Sequence, residues 1–424
     1  MPGITLRPSR PVPARRSLRW AAVAAAATLG LAACGNGAAS TAPSAGVDAT
    51  DWRSVVTAAD GQTVNWYMWG GDSTLNDFVN GYLSDQLAKQ GVTLNQVPID
   101  DTVQAIDTVL GETQAGRDEG SVDLVWVNGE NFATGKQADL WWCHWPSQLP
   151  SASFVDFTDD AVTHDFGAPV EDCEAAWQRA DSALVYRSDR IRAADVASIS
   201  ALFDWAAAHP GRFTYPAPPD FTGSMAVRTI LYDTIGGPDS LLGVFDEDKY
   251  ASAAPQLWRR LDDLRPSLWR QGTTYPQSQA QVEQMYADGE IDAYFTYGPG
   301  AIGDKVAKGI YPAATREAVP SVGNIGNVSF VAIPKNAAHP AAALVLANLL
   351  QDPQTQLELY RATGAYPAVD LDKVPPAVRA DFAAVPSSEA VLPLDELSAR
   401  GQPELASDYV TRLERDWKTE VLQR

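Results

Sequence analysis

Apolar positions along the chain follow two periods. Residues 63–69 (TVNWYMW), 92–97 and 122–127 (VDLVWV) are short runs rich in β-branched and aromatic side chains. Such runs read as strands. Between them, Leu75, Phe78, Val79, Tyr82, Leu83 and Leu87 recur at helical spacing, as do Val103, Ile106 and Leu110 after the Asp100-Asp101-Thr102 turn. Strands alternating with helices over short loops predict an α/β fold whose sheet is largely parallel.

The pattern continues past an extended run at 180–186. A helix at 202–208 precedes a strand at 212–215, and Pro216, Pro218 and Pro219 then turn the chain into a helix opening at Thr222-Gly223-Ser224. Val227, Ile230, Leu231 and Ile235 line that helix, and Gly236-Gly237 stops it. Helices carrying Leu257, Trp258, Leu261, Leu264, Val282, Met285 and Tyr286 follow. Strands are predicted at 291–297 and 324–334. An alanine-rich helix runs from His339-Pro340 to Leu350, and Asp352-Pro353 breaks it and starts another. Leu405, Tyr409, Leu413 and Trp417 mark a last helix that packs back on the body.

The N-terminus departs from this pattern. Residues 1–20 are basic, and 21–33 form an apolar run too short to span a bilayer but suited to a signal sequence. The run ends Leu31-Ala32-Ala33-Cys34-Gly35, which resembles the lipobox of bacterial lipoproteins and implies lipidation at Cys34. Arg15-Arg16 is a partial twin-arginine pattern that leaves the export route open. Residues 35–51 are small and polar and read as a flexible tether.

Charge sharpens the picture. The 424 residues carry a formal net charge of −21. Without the first 33 residues, 27 basic side chains face 53 acidic ones. So acidic a surface argues against nucleic acid and draws cations toward any cleft. Cys143 and Cys173 are the cysteines left besides Cys34. In an exported chain they most simply form a disulfide. The four histidines are scattered without metal spacing, and HExxH, GxSxG and phosphate-loop motifs are absent.

Several stretches together resemble the extracellular solute-binding proteins of ABC importers: NWYMWGGD, VDLVWVNGENF, DGEIDAYFTYGPG, VSFVAIPKNAAHPAAALVLANLLQDPQTQ and GAYPA. GRFTYPAPPDFTGS and DFGAPVE narrow the resemblance to the YnjB type, within a group that includes thiamine, polyamine and ferric-iron binders. The resemblance spans residues 60–424. It implies a two-lobed periplasmic-binding-protein fold of type II with an interlobe cleft, and no enzymatic activity. The expected partition is a signal peptide at 1–33, a lipidated tether at 34–51, lobe 1 at 52–185 plus 298–350, and lobe 2 at 186–297 plus 351–424. The crossovers are expected near 180–187, 297–304 and 351. Implied partners are a small solute and a membrane permease with a cytoplasmic ATPase. The chain is expected to be a monomer without cofactor or metal, lipid-anchored to the outer face of the cytoplasmic membrane.

The cleft is then expected to be lined by Trp69, Gly70, Gly71 and Asp72 at one strand end and by Asn128, Glu130 and Asn131 at the next. Asp220, Phe221, Thr222 and Ser224 would face them, with Tyr297 and Asn327 near the hinge and Trp145 and Tyr366 as weaker candidates. Aromatic rings beside carboxylates suit an organic cation such as thiamine. The helix N-terminus at 222–224, with Gly223 opening the backbone to a ligand, favours an anion. Two other classes stay open. A hydrolase would need a carboxylate pair that the sequence does not single out. A sensory or protein-binding lipoprotein could use the tryptophan-rich stretch 141–146 as a flat patch rather than a deep pocket.

Overall fold

The computed structural model describes residues 46–423 other than 299, 387, 394, 395 and 398. The expected signal sequence, Cys34 and most of the expected tether lie outside the described residues.

Ten strands are present among the described residues: β1 Thr63–Trp69, β2 Thr93–Ile99, β3 Leu124–Val127, the short pair β4 His164–Asp165 and β5 Ala168–Pro169, β6 Glu174–Arg187, β7 Ala293–Tyr297, β8 Thr315–Ala318, β9 Asn324–Ala332 and β10 Gly401–Gln402. The main sheet runs β2-β1-β3-β9-β6-β7, with β10 on β9 and β8 on β6. The expected parallel pairing holds for β1 with β2 and β3. It fails for β9, which runs antiparallel to β3 and β6, and for β7 and β8, which run antiparallel to β6. The sheet is therefore mixed, because the two long strands return through it rather than entering by right-handed crossovers.

Those long strands organise two lobes. The first half of β6, Glu174 to Asp181, pairs with β9. Its second half, from Ser182 onward, pairs with β7 and β8. In the first lobe, helices cover both faces of the sheet. One core gathers Trp66, Trp177, Leu344 and Leu346, and the other Ile106, Val125, Phe132 and Phe330. In the second lobe, Leu184, Phe213, Met225, Leu257 and Trp417 share one core, and Val185, Tyr286, Tyr294 and Tyr311 another.

The packing moves several expected boundaries. Ile302 and Tyr311, expected in lobe 1, join the core of Val185 and Tyr294 in the second lobe, because β8 pairs with the far half of β6. Helix Pro353–Thr363, expected in lobe 2, stays with the first lobe: Leu359 joins its core, and Gln356 Nε2 donates to the Trp177 carbonyl at 2.6 Å. The chain returns to the second lobe's core at Ala390 rather than near 351.

Three local expectations also change. The stretch 212–215 is no strand. Phe213 makes a single bridge to Ala293, and Pro216 and Pro218 offer no N–H with which to extend a ladder. Val103 points outward, 45% exposed, while Ile106 and Val109 carry the buried face. Trp141, Trp142 and Trp145 are all buried, Trp141 and Trp142 backing a cavity beside Cys143 and Cys173 rather than the space between the lobes. Trp145 Nε1 donates to the Trp142 carbonyl at 2.9 Å and Trp141 Nε1 to the Phe132 carbonyl at 3.0 Å, so these two indole N–H groups keep partners inside. Cys143 and Cys173 form a disulfide across 30 positions. In the chain-entropy model, closing such a loop stabilises by about 3–4 kcal/mol.

Candidate ligand-binding site

The site forms where β3 ends. Asn128 and Gly129 follow the strand, and helix Glu130–Gln137 begins at once. Gly129 sits at φ 63° and ψ −133°, a conformation only glycine adopts without strain. Its N–H donates to Asp165 Oδ2 at 2.6 Å. That bond holds the β4–β5 turn behind the loop and brings Phe166 forward.

The second lobe supplies the facing walls. Asp220 caps helix Phe221–Ile235, accepting from the Gly223 N–H at 2.9 Å. Phe221, 40% exposed, stands clear of the helix. Its ring lies 4.9 Å from Tyr297 and 6.0 Å from Phe166. The last long helix, Ser407–Trp417, packs against Glu130–Gln137 and adds Val410 and Glu414. Together Asn128, Glu130, Phe166, Phe221, Arg228 and Glu414 line a cavity of about 40 Å³ that opens to solvent. Its walls come from both lobes.

A buried ion network lies beneath. Arg228, 1% exposed, donates from Nε to Glu404 Oε2 at 2.9 Å and from Nη2 to Oε1 at 3.1 Å. Its Nη1 donates to Ser224 Oγ at 2.7 Å. Tyr297 Oη donates to Glu404 Oε1 at 2.6 Å, and Asn327 Nδ2 to the same oxygen at 3.2 Å. The guanidinium is thus engaged on all three nitrogens, and its charge is matched by the protein's own carboxylate. The two carboxyls facing the pocket have no such match. Burial pushes Glu130 up; Arg228 opposes the shift and Asp101 adds to it. Burial pushes Glu414 up to about 7, with Glu130 adding to the shift and a hydrogen bond from Ser224 opposing it.

The structure brings five of the expected residues into the lining: Asn128, Glu130, Asn131, Phe221 and Ser224. Tyr297 and Asn327 stand behind them, on Glu404. Thr222 is buried at the start of its helix. Asp220 turns away from the pocket toward the Gly223 and Gln279 N–H groups. The stretch Trp69 to Asp72 is not among the lining residues. Gly70 N–H donates to the Ile99 carbonyl, the Trp69 ring lies over Gly71, and Asp72 caps helix Ser73–Phe78. Trp145 is core, and Tyr366 is buried with its hydroxyl donating to the Leu392 carbonyl at 3.0 Å.

The expected opening at Gly223 is filled. A Cβ there would come within 2.1 Å of the Pro216 carbonyl oxygen, so the glycine admits the preceding turn, not a ligand. With Asp220 capping the helix, the anion-binding feature is satisfied internally. Sequence reasoning missed Phe166, Arg228, Val410, Glu404 and Glu414. A signal existed for Glu414: it shares a helical face with Val410 and Trp417, where a carboxylate among buried apolar positions is unusual. Among the described residues no group of His, Cys, Asp and Glu is arranged to hold a metal ion.

Comparisons with known proteins agree with this architecture. Residues 85–381 match the model of the bacterial extracellular solute-binding protein family. The chain is 35% identical over 372 residues to protein YnjB of Escherichia coli (strain K12), covering 87% of this chain and 93% of that one. Among solved structures, a spermidine/putrescine ABC transporter protein from Listeria monocytogenes superposes with a TM-score of 0.60 at 14% identity, over 84% of this chain and 98% of that one. A periplasmic thiamin-binding protein superposes with a TM-score of 0.56 at 16% identity, over 85% and 95%. Two lobes strung on long shared strands are the type II periplasmic-binding arrangement these structures have in common. A pocket walled by both lobes, on that fold and with that sequence match, places the chain in the family of bacterial extracellular solute-binding proteins, the solute-capturing component of an ABC transporter.

Proposed function

We propose that the solute is a small organic cation, with thiamine as the best single candidate, held between the lobes and passed to a membrane permease driven by a cytoplasmic ATPase. The observation that carries this reading is the charge balance of the pocket. Two carboxyls, Glu130 and Glu414, face it without a paired cation, whereas Arg228 is consumed by Glu404. An anionic ligand would meet these two carboxyls, and the one cation among the described lining residues, Arg228, is already tied to Glu404. A flat cation would find carboxylates on one side and the Phe221 and Phe166 rings on the other. The crossing strands β6 and β9 supply the hinge. Ligand touching both lobes would hold them closed, shifting an open–closed equilibrium by its differential affinity.

The test is a thermal-shift and calorimetric panel of thiamine, thiamine phosphates, spermidine, ferric iron, sugars and amino acids. A cation at 100 times its Kd should add about 2.7 kcal/mol of stability. Glu130→Gln should weaken that cation about tenfold to a hundredfold, the value of a hydrogen bond to a charged group. Binding confined to anions, or an unchanged affinity in Glu130→Gln, defeats the reading.

We also propose that Cys34 carries the lipid anchor. The lipobox-like LAAC supports this. Cys34→Ala should move the protein from the membrane fraction to the soluble fraction. Retention in the membrane by the variant would refute the anchor.

A further inference from the structure

The two pocket carboxyls come from different lobes and different ends of the chain. Glu130 opens the helix after β3, and Glu414 lies on the helix that packs against it. Two like charges in a partly buried space repel, and such a pair relieves the repulsion by holding a proton. The surroundings reinforce this. Asp101 faces Glu130, and Asp165 and Glu404 stand close behind the lining. On the cationic side are Arg228, tied to Glu404, and Lys418, which faces Glu414. Asp165 gives a second, independent sign. It is 1% exposed and sits between two lining residues, bonded to the Gly129 N–H and followed in the chain by Phe166. Its Oδ1 has no partner.

We propose that Glu130 and Glu414 form one interlobe seat that keeps a proton while no ligand is bound and releases it to solvent as the cation enters. This rests on the cation reading above and adds to it an exchange of one proton for one ligand charge. The exchange makes capture pH-dependent. A proton displaced on binding makes affinity rise with pH by up to about tenfold per unit until the seat is already ionised. With Glu414 near 7, the rise falls between about pH 5.5 and 7.5 and flattens above.

Titration calorimetry of the protein with thiamine, spermidine and tetramethylammonium, run in buffers of different ionisation enthalpy, measures the protons released. Roughly half a proton or more should leave per bound cation at pH 6.5, falling toward none at pH 8.5. Glu414→Gln should abolish the release and flatten the affinity profile. It should cost about tenfold in affinity at pH 8 and little at pH 5.5. Glu414→Asp should keep both the release and the slope. Tight cation binding without proton release overturns the exchange and leaves the cation reading intact. Failure of every cation in the panel to bind overturns both.

Discussion

Arg228→Met should destabilise the protein by about 3–5 kcal/mol, among the largest losses open to a single substitution here. The side chain is 1% exposed, and its partner Glu404 is 4% exposed at the side chain. Methionine fills much of the volume but leaves a buried carboxylate with only Tyr297 Oη and Asn327 Nδ2 to face it. The cost therefore comes from the orphaned charge rather than from the salt bridge as such. That distinction has a direct consequence. The double variant Arg228→Met/Glu404→Gln should recover part of the loss, because both charges then leave together. Urea unfolding of the wild type, both single variants and the double variant closes the cycle. A loss below about 1 kcal/mol for Arg228→Met would mean that water reaches Glu404 and that the cluster is not a dry anchor. The position matters for binding as well. The network joins helix Phe221–Ile235, the end of β7, strand β9 and the segment before the last helix. Loosening it frees the wall that carries Phe221 and Ser224.

That network marks where the sequence stopped being informative. Period-two and helical spacing made most strands, the buried helix Pro340–Leu350 and the apolar face of Ser407–Trp417 legible, because burial on one face leaves a local trace. Arg228 and Glu404 are 176 positions apart, and neither residue's neighbours announce the other. Placing candidate groups at the ends of expected strands named Asn128, Glu130, Asn131, Phe221 and Ser224, and all five line the pocket, although the strand expected before Phe221 does not form. The same rule over-read Asp72 and Asp220. Both sit at strand or turn ends, but their carboxylates are engaged by helix N–H groups, and a sequence cannot distinguish a cap from a ligand group. The antiparallel return of β9 was invisible for a related reason: an apolar run specifies burial, not direction.

Ligand-free protein should be markedly less stable at pH 9 than at pH 5, against the usual expectation for an acidic protein whose carboxylates are paired. The cause is a set of buried carboxyls for which nearby cations, Arg179 for Asp181 and Lys136 for Glu174, offset only part of the burial. Burial pushes Asp165 up to about 8; the Gly129 N–H opposes the shift and Glu404 adds to it. Burial also raises Glu174 and Glu317 well above the carboxylate range, Glu174 with both oxygens unpartnered and Glu317 with one. Asp181, at the point where β6 passes between the lobes, is pushed up to about 6 by burial. Each of these groups is protonated in the folded chain at a pH where the unfolded chain has already lost the proton. The folded state then binds more protons, so its stability is full below about pH 4 and drains as pH rises through the folded value. The carboxyls shifted the other way, such as Asp48, Asp51 and Asp156, are solvent-exposed and act only in the acid range. Between pH 5 and 9 the buried set dominates, and the total loss should be on the order of 5 kcal/mol. Asp165→Asn should make the slope between pH 5 and 8 shallower by Asp165's own share, leaving that of Asp181 and Glu414, because an amide keeps an acceptor for the Gly129 N–H and does not titrate. Unfolding free energies measured in urea at pH 5, 6, 7, 8 and 9 read the slope directly. A profile that is flat, or that rises with pH, would mean these carboxyls are ionised in the fold. Asp165 would then need a cation or water at Oδ1, which would put a charged group directly behind Gly129 and Phe166.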